Sequence, residues 1–185
     1  MLVMLNFLYS YFALQVLQLE VSMRIAGMKH TSTSDGPGSR FVVLLQGCEH
    51  KCPGCWNPDA QDTGGGVDFP MDELTEQMLA NPTTDGLSFA GGEPFGQAAD
   101  CAALARAAHQ AGLNVWCWTG YTLETLLSTA SDAQLELLRE IDVLVDGPFI
   151  LDEYTSELPW RTSRNQRLLR GAESLAAGKA ILWEA

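Results

Sequence analysis

The sequence predicts a single-domain α/β fold built on a mainly parallel sheet. Short apolar runs that are typical of buried strands alternate with segments whose apolar residues recur at helical spacing. The connections between them are short, as expected when helices cover a parallel sheet. The 185 residues are 46% hydrophobic and 18% charged, which is enough apolar material for one well-packed core.

Four apolar runs form the centre of the predicted sheet, at residues 41–45, 85–90, 113–118 and 141–145. A short strand beginning at Met23 precedes them, and residues 179–184 are predicted to form a last strand. Residues 35–38, Asp-Gly-Pro-Gly, are a turn by their chemistry, because proline fixes φ and glycine accepts positive φ. Arg40, at the end of this turn, is a candidate contact for an anion or a partner protein.

Helical segments are predicted to begin near residues 71, 97, 122 and 132. The clearest of them, residues 97–111, places Cys101 on an apolar stripe. Ser131 and Gln134 fit a capping box at the start of another helix. We interpret Cys101, and Cys117 within the third central strand, as buried core residues rather than ligands.

The charge and the cysteine content restrict the function. A formal net charge of −12 is poorly suited to a phosphate backbone, so nucleic acid is not expected as a partner. The five cysteines form a group of three and two singles, which does not indicate a disulfide framework. Grouped cysteines that are not paired in disulfides can serve as thiolate ligands, which need a reducing compartment. We therefore expect a cytoplasmic protein.

Cys48, Cys52 and Cys55 lie in one Gly- and Pro-containing loop, directly after the apolar run 41–45. A strand that leads into such a loop is a common scaffold for a metal site. Three thiolates on a 4Fe–4S cluster hold three irons and leave the fourth open. A zinc site with His50 as fourth ligand is an alternative, and so are three structural cysteines without metal.

The Cys-x3-Cys-x2-Cys spacing, followed after the next strand by Gly-Gly-Glu-Pro at 91–94, resembles the radical S-adenosylmethionine (SAM) family. Within that family the chain is similar to the activating proteins of anaerobic ribonucleoside-triphosphate reductase, which residues 146–149 and 160–167 also resemble. The similarity covers residues 23–170, although that subgroup usually has glycine where Thr162 stands. It implies a small, incomplete (β/α) barrel, whose chemistry sits at the carboxyl ends of the strands.

The resemblance implies roles for particular residues. Cys48, Cys52 and Cys55 would bind one 4Fe–4S cluster, and the amino and carboxylate groups of SAM would chelate its open iron. The residues implied in cofactor binding are Gly54, Cys55, Trp56, Gly91, Gly92, Glu93, Thr119 and Asp146. The two adjacent glycines would let the backbone approach SAM closely. Trp56 is either a neighbour of the adenine or a plain core residue.

The implied reaction is reductive cleavage of SAM to methionine and a 5′-deoxyadenosyl radical, which generates a glycyl radical on anaerobic ribonucleoside-triphosphate reductase. Arg164 and Arg167 are candidate contacts for that partner, and a reductant such as flavodoxin or ferredoxin is a second partner. A radical SAM enzyme acting on another glycyl-radical enzyme or on a small substrate is the alternative. A zinc-binding interaction module is the alternative from another class.

Residues 1–19 are strongly apolar but lack the basic start and the cleavage site of a signal peptide. Polar residues interrupt them, which argues against a membrane span. Residues 23–27 resemble the usual beginning of the family. We therefore expect residues 23–185 to form the activase domain and residues 1–22 to be an apolar extension that results from start-codon choice. A packing helix is the alternative.

Overall fold

The computed structural model describes residues 21–184, so most of the predicted extension 1–22 lies outside the described residues. Seven strands form one sheet: β1 Ser22–Ser32, β2 Arg40–Leu45, β3 Val67–Pro70, β4 Gly86–Gly91, β5 Asn114–Trp118, β6 Val143–Asp146 and β7 Arg167–Arg170. Within residues 21–184, five α-helices accompany them: α1 Met71–Leu79, α2 Ala98–Gln110, α3 Leu123–Thr129, α4 Asp132–Arg139 and α5 Gly171–Ala177.

The strand order is β3-β1-β2-β4-β5-β6-β7. The four central strands, β2, β4, β5 and β6, are parallel to one another. The flanking strands β1, β3 and β7 pair in antiparallel fashion. The prediction of an α/β fold is confirmed, and the sheet is mixed: its centre is parallel, as predicted, whereas its three outer pairings are antiparallel. Because the carboxyl ends of the parallel strands meet at one edge, the loops that follow them are brought together there.

The outer strands differ from the prediction. β1 is longer than expected, because it pairs with β2 as far as Ser32 opposite Arg40. β3 and β7 were not predicted, since each has only four residues and β7 lies within a stretch that the basic residues dominate. Residues 179–184 were predicted as a strand, which is wrong: they form a single bridge, between Leu169 and Leu182.

The main hydrophobic core lies between the helices and one face of the sheet. Alternate residues of the central strands, such as Val43 and Phe89, are fully buried there against α2. Cys101 and Cys117 belong to this core with no exposed surface, which confirms that they are core residues. The capping box of Ser131 is also present at the start of α4. Among the described residues, no helix is long and apolar enough to cross a membrane.

The opposite face of the sheet carries a cluster of tryptophans, with Trp116 packed among Trp118, Trp160 and Trp183. The ring centroids of Trp116 and Trp160 lie 5.1 Å apart, with the rings edge to face. Trp118 also donates a hydrogen bond from Nε1 to the carbonyl oxygen of Trp160 at 2.9 Å. The segment around Trp160 is therefore held against the sheet.

Arg40 is a structural residue, so the prediction that it contacts an anion or a partner is wrong. Its side chain is fully buried and lies 5.9 Å from the centre of the Trp116 ring. The guanidinium donates hydrogen bonds to the hydroxyl of Ser88, the side chain of Asn114 and the carbonyl of Leu87. Burial lowers the pKa of Arg40 to about 10, yet the group remains a cation at neutral pH. It ties three adjacent strands together.

Candidate functional site

A cavity of about 540 Å³ opens at the carboxyl edge of the parallel strands. Most of the residues predicted to act in the site line it: Cys48, Cys52, Cys55, Trp56, Gly91, Gly92, Glu93 and Thr119. They come from the loops that follow β2, β4 and β5, which are far apart in the sequence. The parallel sheet brings these loops to one place, as expected from the sequence pattern.

The cysteine loop begins at the end of β2, and the residues at its far end fold back against its first residues. Gly47 and Cys48 donate backbone hydrogen bonds to the carbonyls of Ala60 and Gln61, at 2.8 and 3.1 Å. Cys55 donates one to Cys52 at 3.2 Å, which closes the turn between the second and third cysteines. All three thiols are free and half-buried, and they face the same cavity. Burial raises the pKa of the Cys48 thiol.

The donor set fits a cluster with three thiolate ligands. In residues 21–184, no three His, Cys, Asp or Glu side chains are gathered tightly enough to hold a single metal ion. A 4Fe–4S cubane instead takes each thiolate on a different iron, and therefore suits thiols that are spread around one cavity. The two remaining cysteines, Cys101 and Cys117, are buried in the core.

Gly91 and Gly92 are glycines because the end of β2 lies against them. A Cβ on Gly92 would lie 2.4 Å from the carbonyl oxygen of Gly47, and one on Gly91 would lie 2.9 Å from the backbone of Leu44. Gly91 also has a φ of 88°, which favours glycine. Within the chain, the absence of these two side chains lets the loop after β4 approach the end of β2 and the start of the cysteine loop closely. Both glycines nevertheless line the cavity.

Glu93 is almost fully buried, and four donors converge on its carboxylate. Oε1 accepts hydrogen bonds from the backbone of Phe95 at 3.0 Å and from the hydroxyl of Thr119 at 2.8 Å. Oε2 accepts from the backbone of Gly120 at 2.9 Å and pairs with Nε2 of His50 at 2.8 Å. Glu93 therefore joins the loops after β2, β4 and β5.

His50 takes part in the site in a way that sequence reasoning missed. The hydrogen bond to Glu93 raises the pKa of His50, against the opposing effect of burial. Its ring lies edge to face on Tyr121, with centroids 4.5 Å apart. From the sequence, His50 was considered only as the fourth ligand of the alternative zinc site. Its pairing with Glu93 could not be predicted from the sequence, because it depends on how the sheet places the loops after β2 and β4 side by side.

Trp56 lines the cavity with 60% of its surface exposed, so the alternative that it is a core residue is wrong. Its ring lies 5.9 Å from that of Tyr154. Gly54 is placed beside Leu151, outside the group of residues that line the cavity. Its φ of 73° explains the glycine at this position.

Asp146 is buried at the end of β6, next to Gly147, which lines the cavity. Its carboxylate accepts hydrogen bonds from the backbone of Leu123 at 2.8 Å and from Arg167 at 2.5 and 3.0 Å. Arg167 also pairs with Glu124 at 2.7 Å. The two carboxylates raise the pKa of Arg167 and hold its guanidinium within the fold.

Arg164 lies at the surface, with 57% of its side chain exposed. It is 3.4 Å from the carboxylate of Glu157, which is itself mostly exposed. The two arginines predicted as partner contacts thus differ: Arg164 is accessible, whereas Arg167 is occupied by an internal network.

The far side of the cavity includes polar residues that were not predicted individually as site residues: Lys29, Ser34, Asp35, Arg161 and Gln166. Lys29 pairs with Asp35 at 2.9 Å. These residues come from β1, from the turn after it and from the segment before β7. That side of the cavity depends on antiparallel pairings that local sequence patterns do not predict.

Comparison with known proteins identifies the family. A family model described as a 4Fe-4S single cluster domain matches residues 34–169. Proteins named anaerobic ribonucleoside-triphosphate reductase-activating protein are similar over most of the chain. The one from Salmonella typhi is 36% identical over 141 residues, which cover 71% of this chain and 88% of that protein.

Two further relatives carry the same name. The protein from Escherichia coli strain K12 is 34% identical over 142 residues, covering 71% of this chain and 88% of its own length. The one from Enterobacteria phage T4 is 33% identical over 141 residues, covering 72% and 85%. The chain therefore belongs to the 4Fe-4S single cluster family, in the group of the anaerobic ribonucleoside-triphosphate reductase-activating proteins.

Proposed function

We propose that this protein is an iron–sulfur enzyme that cleaves SAM reductively and generates a glycyl radical on anaerobic ribonucleoside-triphosphate reductase. One observation carries the proposal: three half-buried thiols and the Gly91-Gly92 edge face a single cavity. The group of relatives described above supports the same activity and the same partner.

Cys48, Cys52 and Cys55 are the proposed ligands of one 4Fe–4S cluster. The chemistry that a bound, reduced cluster supplies is the cleavage of SAM to methionine and a 5′-deoxyadenosyl radical, which removes a hydrogen atom from the target glycine. The protein's own contribution is to bind and orient the reactants. The loop around the cysteines also controls burial and hydrogen bonding to the sulfurs, and both tune the potential of such clusters.

We propose direct contacts with SAM for Gly91, Gly92, Thr119 and Trp56, because each of them lines the cavity. The exposed ring of Trp56 offers a flat surface on which an adenine can stack. For three other predicted residues we propose supporting roles. Gly54 turns the cysteine loop, Glu93 joins the loops around the cavity, and Asp146 anchors the end of β6, as their contacts indicate.

We further propose that the sheet is curved into an incomplete (β/α) barrel and that residues 23–185 form the activase domain. The support is the position of the cavity at the carboxyl ends of the parallel strands, where such barrels carry their sites. The requirement for thiolate ligands places the protein in a reducing compartment, for which we propose the cytoplasm.

The target glycine is proposed to reach the cavity on a loop of the partner enzyme. Arg164 is the better of the two arginine candidates for contacting that partner, because it is exposed and Arg167 is bound internally. A charge at the rim of an interface mainly affects the association rate and its salt dependence. A reductant such as flavodoxin or ferredoxin is proposed as the source of electrons.

The test is SAM cleavage by the protein alone. After anaerobic reconstitution with iron and sulfide, and reduction with dithionite, the wild-type protein should convert SAM to 5′-deoxyadenosine. Cys52→Ala should lose the activity, whereas Cys101→Ala should keep it because Cys101 is a core residue. One tightly held zinc ion without iron uptake would contradict the proposal and favour the zinc-binding module.

A further inference from the structure

We propose that His50 and Glu93 are a positioning pair, which locks the middle of the cysteine loop onto the edge of the cavity that binds SAM. The inference rests on the proposed function and deepens it. Neither side chain needs to touch the cofactor for this role. Their task is to fix the distance between the thiols of Cys48 and Cys52 and the backbone of Gly92.

The first observation is the burial of the bond that joins them. The side chains of His50 and Glu93 are 17% and 4% exposed, and the distance from Nε2 to Oε2 is 2.8 Å. Hydrogen bonds to a charged group contribute more than neutral ones, and they gain strength where water is excluded. Because the other three donors to Glu93 come from Phe95, Thr119 and Gly120, the carboxylate cannot follow His50 if the loop moves.

The second observation is the close packing around the imidazole. A Cβ on Gly120 would lie 2.3 Å from the ring of His50, so the loop after β5 accommodates the ring only because residue 120 is glycine. Tyr121 contacts the ring edge to face, and its hydroxyl donates a hydrogen bond to Glu49. Two successive residues between Cys48 and Cys52 are thereby attached to the end of β5.

In the part of the chain that the structure describes, backbone hydrogen bonds tie only the start of the cysteine loop to the loop after β4. Gly92 donates to Leu45, and Glu93 donates to Gly47, both at 2.8 Å. Beyond Cys48, the side chains of Glu49 and His50 make hydrogen bonds to the loops after β5 and β4. Without the His50–Glu93 bond, the segment before Cys52 can shift relative to Gly92.

The expected consequence concerns SAM more than the cluster. Three cysteines in a flexible loop can still bind a cluster, which then orders the loop around itself. SAM has to contact the open iron and the Gly91-Gly92 edge at the same time. A variable distance between them therefore lowers the affinity for SAM, because part of the binding free energy is used to fix the loop.

The experiment compares His50→Gln with His50→Asn. A glutamine can place its amide nitrogen near the position of Nε2 and keep the bond to Glu93, whereas asparagine is one methylene shorter and cannot reach it. Both substitutions are polar and reduce the volume, so they differ mainly in reach. The matched control is His109→Asn, which removes a histidine that pairs with Glu140 and Asp142 outside the cavity.

Each protein is loaded with iron and sulfide anaerobically, and three quantities are measured: the iron content, the thermal stability of the apoprotein and the dissociation constant for SAM. The last is followed through the change that SAM causes in the electron paramagnetic resonance spectrum of the reduced cluster, in samples frozen before SAM is cleaved. We expect full iron content in all variants, and SAM binding about tenfold weaker in His50→Asn, in keeping with the loss of a charge-assisted hydrogen bond. His50→Gln and His109→Asn should bind SAM as the wild type does.

Two results would overturn the inference. One is equal SAM affinity in His50→Asn and His50→Gln, even if their thermal stabilities differ, because that is the pattern of a purely structural residue. The other is loss of iron from both His50 variants, which would make His50 necessary for the cluster itself. A wild-type protein that takes up no iron or binds no SAM would instead contradict the proposed function.

Discussion

Substituting Gly92 by alanine introduces one methyl group at the contact between the cysteine loop and the loop after β4. The added Cβ would lie 2.4 Å from the carbonyl oxygen of Gly47, and this oxygen is also the acceptor for the backbone of Glu93. Carbon and oxygen atoms do not approach within 3.0 Å in this way, so one loop has to move by about 0.6 Å. Because Cys48 follows Gly47, the movement is transmitted to a proposed ligand.

The cost can be worked from these contacts. Overpacking by a methyl group in a tight interior site typically costs about 1–3 kcal/mol. The movement also weakens the hydrogen bond from Glu93 to Gly47, worth about 1 kcal/mol. We therefore expect Gly92→Ala to lower the free energy of unfolding by about 2 kcal/mol, which for a chain of this length lowers Tm by roughly 4–8 °C.

The assay is thermal unfolding of the apoprotein followed by circular dichroism, together with the iron content after reconstitution. Gly96→Ala is the matched control, since a Cβ there meets nothing within 4 Å and the residue lies in the turn that follows Glu93. The control should stay within about 0.5 kcal/mol of the wild type. If Gly92→Ala and Gly96→Ala have the same stability and bind the same amount of iron, the argument from loop contact is wrong.

Three further predictions concern one proposed cluster ligand and two arginines that hold the fold together. Cys52→Ala should lose the visible absorbance of the reconstituted cluster, while Cys117→Ala should retain it. Arg40→Met should lower the free energy of unfolding in urea by about 2–4 kcal/mol, because it leaves buried acceptors without donors; a change below 1 kcal/mol would contradict this structural role. Arg167→Met should cost about 2 kcal/mol by leaving the buried Asp146 without its cation, and Arg164→Met should leave stability unchanged.

The sequence predicted the parts of the fold that depend on local patterns. The central strands and the capping box of Ser131 follow from side-chain periodicity and from residues three apart, and the structure confirms them. β3 and β7 were missed because four residues carry too little periodicity. These strands form through pairing with β1 and β6, which is a property of the assembled sheet.

In the functional site, too, some features were predicted from local sequence patterns and others depend on the assembled sheet. The spacing of the cysteines and the Gly-Gly-Glu segment located the cavity, because both follow parallel strands. The roles of individual side chains were harder to predict. Arg40 and Arg167 are cations that suggested surface contacts, yet one is buried in the sheet and the other is bound to two carboxylates. Such pairings join residues that are distant in the sequence, so local sequence patterns do not predict them.

The central claim is that the cavity serves to generate a radical on another protein, and one measurement tests it most directly. The cluster-loaded, reduced protein is mixed with SAM and with the anaerobic ribonucleoside-triphosphate reductase encoded by the same organism, and electron paramagnetic resonance spectra are recorded. We predict a glycyl-radical doublet on the reductase, which disappears when the radical-site glycine of the reductase is replaced by alanine. SAM cleavage without any radical on the reductase would contradict the account.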